Sequence, residues 1–452
     1  MTELIAWSRD LALGFPKHPP FAAMVVRAWF AWFPIYDWSY YLLAVLTATL
    51  ALWIAWQLFA DYLPPTKRVV GLCLLMFIPF FNFHALKFNV NTVLMPLWAV
   101  TTFWFLRSYR TCSTTYAALA GVSAALSMAT KYWSIVLLVG LVVAAVSDER
   151  RRAYFRSTAP WITVLVGLAV IGPHIGWLEK HNFSPVDYAM AVHGGHPFAH
   201  AFWAVLRYCA DAVAYASVPI ATVLLIARPS ASSLLEIAWP ADPDRRLVAV
   251  AFATTLFFPI LPALLWGIEI NAIWTMSAWT LLPVLLLSSH SVQVSRLQVR
   301  WIASLAVLFP LLMLFIAPAV ALVAFKRGLP PQLTQTKMLA KQVEKAWHAA
   351  TSEPLRYVSG TTDFAYGVAT YADDRPQALS GLPERPRGLR RSGIALICDA
   401  TDEVCVTRSG QIASLNPASR KFQFVLTNNY LGVSGQPRGY YIFTIPPSSD
   451  GE

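Results

Sequence analysis

Charged side chains are scarce in this sequence. Of its 452 residues, 13% are charged and 57% are hydrophobic, whereas soluble domains carry roughly 25% charged residues. The scarcity of charge excludes an ordinary soluble protein. The 18 Trp and 17 Tyr suit the two interfaces of a bilayer, where amphipathic rings lie at headgroup level. The composition therefore predicts a polytopic α-helical membrane protein.

Apolar runs long enough to cross a bilayer, roughly 17–25 residues, define the predicted spans. The stretch 116–147 is too long for one span and short for two, and Lys131 interrupts it near the middle. We interpret it as two short helices that turn at Lys131, which brings the prediction to about ten spans. The other runs lie near 39–60, 69–86, 91–107, 159–177, 202–227, 247–267, 271–288 and 302–325.

Basic residues are distributed unevenly between alternate loops. Thirteen fall in one set and four in the other, so the positive-inside rule predicts that the first set is cytoplasmic. Because the basic residues are spread over five loops and form no single patch, a nucleic-acid partner is excluded. The first set is Lys67, Arg68, Arg107, Arg110, Arg150, Arg151, Arg152, Arg156, Arg228, Arg245, Arg246, Arg296 and Arg300; the second is Lys87, Lys131, Lys180 and Arg207.

The same orientation divides the chain into three regions. Residues 1–38 are predicted to be a first outward loop whose amphipathic start forms a helix on the membrane surface. Residues 39–325 are the predicted transmembrane domain. Residues 326–452 are predicted to be a small outward α/β domain, with a helix over Lys337–Ala350 followed by short strands. The segment Met1–Phe15 lacks the pattern of a signal peptide, and we expect a first span to lie upstream.

Cysteine is also rare, with five residues. Cys73 and Cys209 lie in predicted spans and are interpreted as small apolar residues. Cys398 and Cys405 both lie in the outward domain, where a disulfide persists if it forms. Spacing alone cannot establish its geometry, so the bond is left open.

Polar residues at the outward ends of the spans are the candidates for chemistry, because such positions are costly unless the group is used or solvated. They suit an anionic substrate that is attacked by a hydroxyl group, which requires a base. Each residue has a structural alternative. Glu3 can be a charge on an exposed helix, Lys17 and His18 loop residues, Lys87 an interfacial anchor, and Lys131 a snorkelling side chain.

Histidines do not predict a metal site. His174, His193, His196 and His200 are close in sequence, but their spacing fits no zinc signature. No metal ligand is therefore predicted and no cofactor is required, although a divalent metal is left open.

Four segments together resemble one known family. They are ELIAWSRDLALGFPKHPP at residues 3–20, ALKFNVNTVLMPLWAVTTFWFLRS at 85–108, LAGVSAALSMATKYWSIVLL at 119–138 and PHIGWLEKHNFSPVDYA at 173–189. The sequence resembles the membrane glycosyltransferases of glycosyltransferase family 39, the dolichyl-phosphate-mannose-protein mannosyltransferase-like group with the C-type glycosyltransferase fold. Bacterial aminoarabinose transferases are relatives of this group.

The resemblance implies a function and site residues. Such enzymes transfer a sugar from a polyprenyl-phosphate donor, by inverting displacement, to an acceptor on the outer side of the membrane. By motif, Glu3 matches an acid of the first loop and is the catalytic candidate. His18 matches the basic position before Pro-Pro, and Lys131 matches the lysine of a turn that is typical of the family. With Lys17 and Lys87 as further candidates, they would bind the lipid phosphate.

This sequence departs from the family pattern in three places. The aspartate that usually precedes the position of Glu3 is absent, Lys17 replaces an acid, and Asn89–Asn91 replaces an aspartate. These departures leave a family-type metal site unpredicted. The expected location is the bacterial inner membrane, with the active site and the C-terminal domain in the periplasm. The acceptor is lipid A, another envelope glycan or a protein.

Two other functions remain open. A transporter or flippase of a lipid-linked saccharide would share the cationic cavity, although the sequence has no internal repeat of the kind that transporters carry. A non-catalytic relative would share the whole fold. Transfer of sugar by the protein in detergent would exclude both.

Overall fold

The structure is a computed structural model that describes residues 2–327, 332–379, 381–382 and 391–447. The chain packs into two compact units. The smaller unit is Met1–Leu11, Val26–Ala31 and Leu314–Glu452, and the larger unit is Ala12–Val25 and Trp32–Met313. The boundaries predicted at residues 38 and 325 stay a prediction.

Helices account for most of the chain. The α-helices are α1 (Thr2–Trp7), α2 (Phe21–Phe30), α3 (Asp37–Phe59), α4 (Pro65–Met76), α5 (Val90–Thr111), α6 (Thr114–Met128), α7 (Ile135–Ser147), α8 (Arg151–Arg156), α9 (Ala159–Lys180), α10 (Ser184–His193), α11 (Phe198–Ala227), α12 (Ala231–Ala238), α13 (Pro243–Phe257), α14 (Ile260–Trp266), α15 (Leu282–Leu287), α16 (Arg296–Lys326), α17 (Gln332–His348), α18 (Thr362–Tyr371) and α19 (Glu403–Ala413). Short 3₁₀ helices cover Pro79–Phe81, His84–Leu86, Tyr132–Ser134 and Ala272–Leu281.

Several helices are suited to crossing a membrane. Among the described residues, five are long and apolar enough: α3, α9, α11, the pair α13–α14 and α16. A sixth span results if α4 and Pro79–Leu86, which meet at a bend of 89°, are counted as one. The other predicted spans correspond to α5, to the short helices α6 and α7, and to Ala272–Leu287. The chain is thus a multi-pass membrane protein, and the count of ten stays a prediction.

The predicted turn at Lys131 is confirmed. Helix α6 ends at Met128, and Lys131 adopts an extended backbone before the 3₁₀ turn that leads into α7. Ser134 holds the turn closed, because its hydroxyl donates to the Ser127 carbonyl at 2.9 Å and accepts from the Trp98 indole at 3.0 Å. The interruption of an apolar stretch by one lysine therefore marks a real break in the helix.

Close helix packing fixes the position of this turn in the larger unit. Helix α6 packs against α5 and α9. Gly121 permits the approach to α9, since a Cβ atom at this position would lie 2.5 Å from the Thr163 carbonyl oxygen. The Thr163 hydroxyl donates to the Ala117 carbonyl across the same contact at 3.0 Å.

The smaller unit contains a five-stranded sheet in the order β2-β1-β3-β7-β4. Strand β1 pairs in parallel with β2 and β3, whereas β7 pairs antiparallel with β3 and β4. Helices α17 and α18 pack on one face and α19 on the other, which explains why β3 is buried throughout. The strands are β1 (Tyr357–Gly360), β2 (Gln377–Ala378), β3 (Ile394–Asp399), β4 (Arg420–Leu426), β5 (Asn429–Tyr430), β6 (Val433–Ser434) and β7 (Arg438–Ile445). The predicted C-terminal α/β fold is therefore confirmed, while its side of the membrane stays a prediction.

Helix α1 is covered by protein. The side chains of Leu4 and Ile5 are buried, and α1 packs against α18. The Trp7 indole donates to the Tyr366 hydroxyl at 3.2 Å, and the Arg9 guanidinium donates to the Ala369 carbonyl at 2.6 Å. The apolar face that the sequence predicted to lie on the membrane instead belongs to the core of the smaller unit.

A disulfide joins Cys398 at the end of β3 to Cys405 in α19, with the two Cα atoms 5.7 Å apart. The bond that the sequence left open is thus present in the structure. It ties α19 to the sheet across a sequence separation of 7 residues.

We expect that replacing both Cys398 and Cys405 with alanine will lower the free energy of unfolding of the smaller unit by roughly 2 kcal/mol, because so short a loop restricts the unfolded chain only moderately. Thermal unfolding without reductant measures the effect. Cys112→Ala, which removes a free thiol, is the control. An unchanged unfolding temperature in the double variant would contradict the prediction.

Candidate functional site

Lys131 lies at the centre of the candidate site. Its ammonium donates to the Asn91 side-chain oxygen at 2.8 Å and lies over the Trp274 ring, 4.6 Å from the centroid. Burial, followed by the nearby charge of Lys17, lowers the pKa of Lys131 to about 7. An ammonium held in the turn between α6 and α7 and partly removed from water attracts an anion more strongly than an exposed one does.

The loop before α2 brings further basic groups to Lys131. The Phe21 backbone N–H donates to the Ala129 carbonyl at 2.9 Å, which attaches this loop to the end of α6. The pKa of His18 is lowered to about 3 by burial, and then by the charges of Lys131, Lys17 and His193. His18 is therefore neutral at pH 7 in this state, and a bound anion would favour its protonated form.

Aromatic rings form one wall of the site. The Trp274 ring lies 4.9 Å from both the Trp133 and the His193 ring centroids, edge to face in each case. Trp274 is held near the start of the 3₁₀ helix Ala272–Leu281, which the Asn271 side chain caps by accepting from the Ile273 N–H. Sequence analysis did not select Trp274. The signal that could have found it is a polar turn with an Asn that caps the next helix, followed closely by a Trp.

An apolar cavity of about 420 Å³ adjoins the turn. The Tyr132 hydroxyl contacts His174 Nε2 at 3.0 Å, and His174 Nδ1 lies 2.6 Å from the Leu13 carbonyl. A carbonyl only accepts, so Nδ1 carries the proton and the Tyr132 hydroxyl donates to Nε2. Tyr132 and His174 are among the lining residues, and most of the lining is apolar, including Phe105, Met128, Leu138, Leu141, Leu168 and Leu178.

The predicted site residues fall into three groups. Lys17, His18 and Lys131 lie close enough that their charges interact. Lys87 is exposed before α5, and its backbone carbonyl accepts from the Thr92 hydroxyl at 3.1 Å. Glu3 lies in the first turn of α1, in the smaller unit. Their roles stay predictions, and His193 joins the first group through its charge interaction with His18.

Part of this site lies in a segment that matches a known family. Residues 17–177 match the model of the dolichyl-phosphate-mannose-protein mannosyltransferase family. This segment contains Lys17, His18, Lys131 and His174. The resemblance named from the sequence is confirmed by this match.

Two solved structures share the fold over nearly the whole chain. ArnT from Cupriavidus metallidurans bound to undecaprenyl phosphate is 12% identical, with a TM-score of 0.61 over 98% of this chain and 92% of that one. The same protein in the apo state is 10% identical, with a TM-score of 0.55 over 95% of this chain and 88% of that one. Among curated proteins, no sequence gives a significant match.

Proposed function

We propose that this protein is a membrane glycosyltransferase that moves a sugar from a polyprenyl-phosphate donor to an envelope acceptor. The observation that carries the proposal is the group of Lys17, His18, His193 and Lys131 beside an apolar cavity. A polyprenyl phosphate combines an anionic head with a long apolar tail, and this arrangement offers a partner to each. The undecaprenyl phosphate bound to ArnT is a ligand of the same chemistry.

The phosphate is proposed to bind at Lys131. The Asn91 side chain fixes the ammonium by accepting one of its hydrogen bonds, which leaves two N–H donors for phosphate oxygens. The polyprenyl chain is assigned to the apolar cavity, whose lining includes Tyr132, the residue that follows Lys131 in sequence. Such a site holds the head group and the tail in fixed positions before reaction.

The reaction is an inverting displacement. The acceptor oxygen forms a bond to the anomeric carbon, the bond from that carbon to the phosphate oxygen breaks, and the electron pair leaves with the polyprenyl phosphate. The acceptor proton passes to a carboxylate, for which Glu3 remains the candidate by its motif. Charge that develops on the departing phosphate is stabilised by Lys131 and by His18, whose protonation the anion favours.

The proposed location is the bacterial inner membrane, with transfer on the periplasmic side. The support is the distribution of basic residues, which places the loop before α2 and the turn at Lys131 outward by the positive-inside rule. The acceptor is lipid A, another envelope glycan or a protein. The α/β domain, whose sheet is closed over by helices on both faces, is proposed to contribute to acceptor choice.

Transfer of radiolabelled sugar from polyprenyl-phosphate donors to a membrane extract tests the proposal. The purified protein in detergent should move label to an extractable product with inversion at the anomeric carbon. Glu3→Gln should lower the rate about 10²-fold or more, because the acceptor then lacks its base. Glu344→Gln, in α17, is the matched control and should leave transfer unchanged.

Detergent separates the competing functions. A transporter or flippase needs a sealed compartment and moves no label under these conditions. A folded protein that transfers no sugar from any polyprenyl-phosphate donor would overturn the proposed activity.

A further inference from the structure

Two loops of the larger unit are joined by backbone hydrogen bonds. One is 194–197, between α10 and α11, and the other is 267–271, after α14. The His196 N–H donates to the Gly267 carbonyl at 3.1 Å, and the Glu269 N–H donates to the His193 carbonyl at 2.8 Å. This pairing fixes the register of the two loops and places Glu269 opposite the histidines.

Gly267 is required for the pairing. Its φ of +62° lies in the left-handed region, and a Cβ atom would lie 2.3 Å from the His196 carbonyl oxygen. No side chain fits at that distance. The glycine thus permits the close approach that brings the two loops together.

Three side chains converge where the loops meet. The Nε2 atoms of His196 and His200 lie 4.0 Å and 3.7 Å from Glu269 Oε2. One ligand atom from each residue lies within 4.8 Å of the others. The two imidazole rings are stacked, with centroids 4.5 Å apart. Two histidines four residues apart and a carboxylate from a distant segment form the donor set that catalytic zinc sites use.

The Nε2 atom of His196 points to a cation at this cluster. This atom is shielded from solvent, and within the described ranges it has no hydrogen-bond partner. Its distance of 4.0 Å from Glu269 is too long for a hydrogen bond. A shielded nitrogen without a partner is costly in a folded protein, and a cation between the three residues would satisfy it.

The spacing suits a small first-row cation. Ligands about 2.0–2.1 Å from a tetrahedral zinc lie about 3.3 Å from one another. Each observed separation from Glu269 therefore needs to close by less than about 1 Å, which side-chain rotation supplies. Magnesium and calcium prefer sets of oxygen ligands, so the two imidazoles favour zinc or a similar transition metal.

We propose that His196, His200 and Glu269 bind one divalent transition-metal cation of the zinc type, with a fourth position left for water. The cation would hold the loop of His193 against the segment that leads to Trp274. The rings of His193 and Trp274 are in contact, and the Trp274 ring also contacts the Lys131 ammonium. The site therefore acts as a positioning clamp, and its existence does not depend on the proposed sugar transfer.

Metal content measures the site directly. The full chain in detergent is stripped with chelator, equilibrated with zinc chloride and analysed for metal per protein. We expect one zinc per chain, and a cobalt-loaded sample with the absorption of tetrahedral cobalt. His200→Ala and Glu269→Gln should each weaken zinc binding roughly tenfold or more, since each removes one ligand. His290→Ala removes an exposed histidine elsewhere and should bind zinc like the parent protein.

Two further measurements address folding and selectivity. Zinc chloride should raise the unfolding temperature of the parent protein but not that of the triple variant His196→Ala, His200→Ala, Glu269→Gln, whereas magnesium chloride should affect neither. Gly267→Ala keeps all three ligands but disrupts the loop pairing, and it should also weaken zinc binding. Equal zinc content and equal stabilisation in the parent and the triple variant would overturn the site, whether or not the protein transfers sugar.

Discussion

Lys131→Met is expected to lower sugar transfer about 10²–10³-fold, the loss that follows when one preorganised donor to developing charge is removed. Methionine retains an unbranched apolar side chain of similar length, so the packing of the turn against Trp274 is preserved. Lys131→Ala should lower the rate of transfer at least as much as Lys131→Met does. The measurement is the initial rate of label transfer from a polyprenyl-phosphate donor at saturating donor concentration.

The physical reason lies in the environment of Lys131. Its ammonium has one fixed hydrogen bond, to Asn91, and faces an aromatic ring instead of bulk water. A charge in such surroundings interacts with an anion much more strongly than a surface lysine does. The same surroundings lower its pKa to about 7, through burial and then the charge of Lys17. A bound phosphate would raise that pKa again and keep Lys131 charged during the reaction.

Matched variants distinguish this role from a structural one. Lys341→Ala removes an exposed lysine of α17 and should leave transfer unchanged. Lys131→Arg keeps the charge but changes the donor geometry, and it should retain more activity than Lys131→Met. Elution as a monodisperse species at the parent volume shows that each variant is folded. Full transfer by folded Lys131→Met would remove Lys131 from the phosphate site.

The helix pair was predictable because its signal is local. A single lysine within thirty apolar residues favours a break in the helix, and the chain breaks at Lys131. The strands of the C-terminal domain were predictable for a similar reason. Their β-branched and aromatic runs alternate with turns, and β3 and β7 lie where those runs occur.

Features that depend on distant segments were not predictable from one sequence. Helix α1 looks like a membrane-surface helix because its apolar face is locally unpartnered, yet α18, more than 350 residues later, covers that face. Trp274 escaped notice for the same reason. Its partner Lys131 comes from another part of the chain, and spacing along the sequence carries no record of that contact.

Asp61→Asn is expected to lower the free energy of unfolding of the larger unit by about 3 kcal/mol, because it leaves two guanidinium groups without their counter-ion. Asp61 follows α3 and accepts from Arg107 at 2.9 Å and from Arg110, both on α5. Its side chain is 16% exposed, so water replaces the carboxylate poorly. Unfolding by denaturant in mild detergent measures the loss.

An exposed ion pair supplies the control. Glu149 pairs with Arg246 at 3.1 Å, but its side chain is 78% exposed. Glu149→Gln should therefore cost less than about 1 kcal/mol. If the two variants lose the same stability, the contact between α3 and α5 does not depend on Asp61.

The dependence on pH gives the Asp61 prediction a second, independent test. Burial by itself would raise the pKa of Asp61, but the hydrogen bonds and charges of Arg107 and Arg110 outweigh it and hold the pKa below its usual value. A carboxyl group with a lowered pKa stabilises the fold fully above its unfolded pKa, about 3.9. That contribution disappears as the pH falls through the lower, folded value. The difference in stability between the parent protein and Asp61→Asn should therefore be constant from pH 8 to about pH 5 and shrink below about pH 4. A difference that grew on acidification would show that the carboxylate is not the stabilising form.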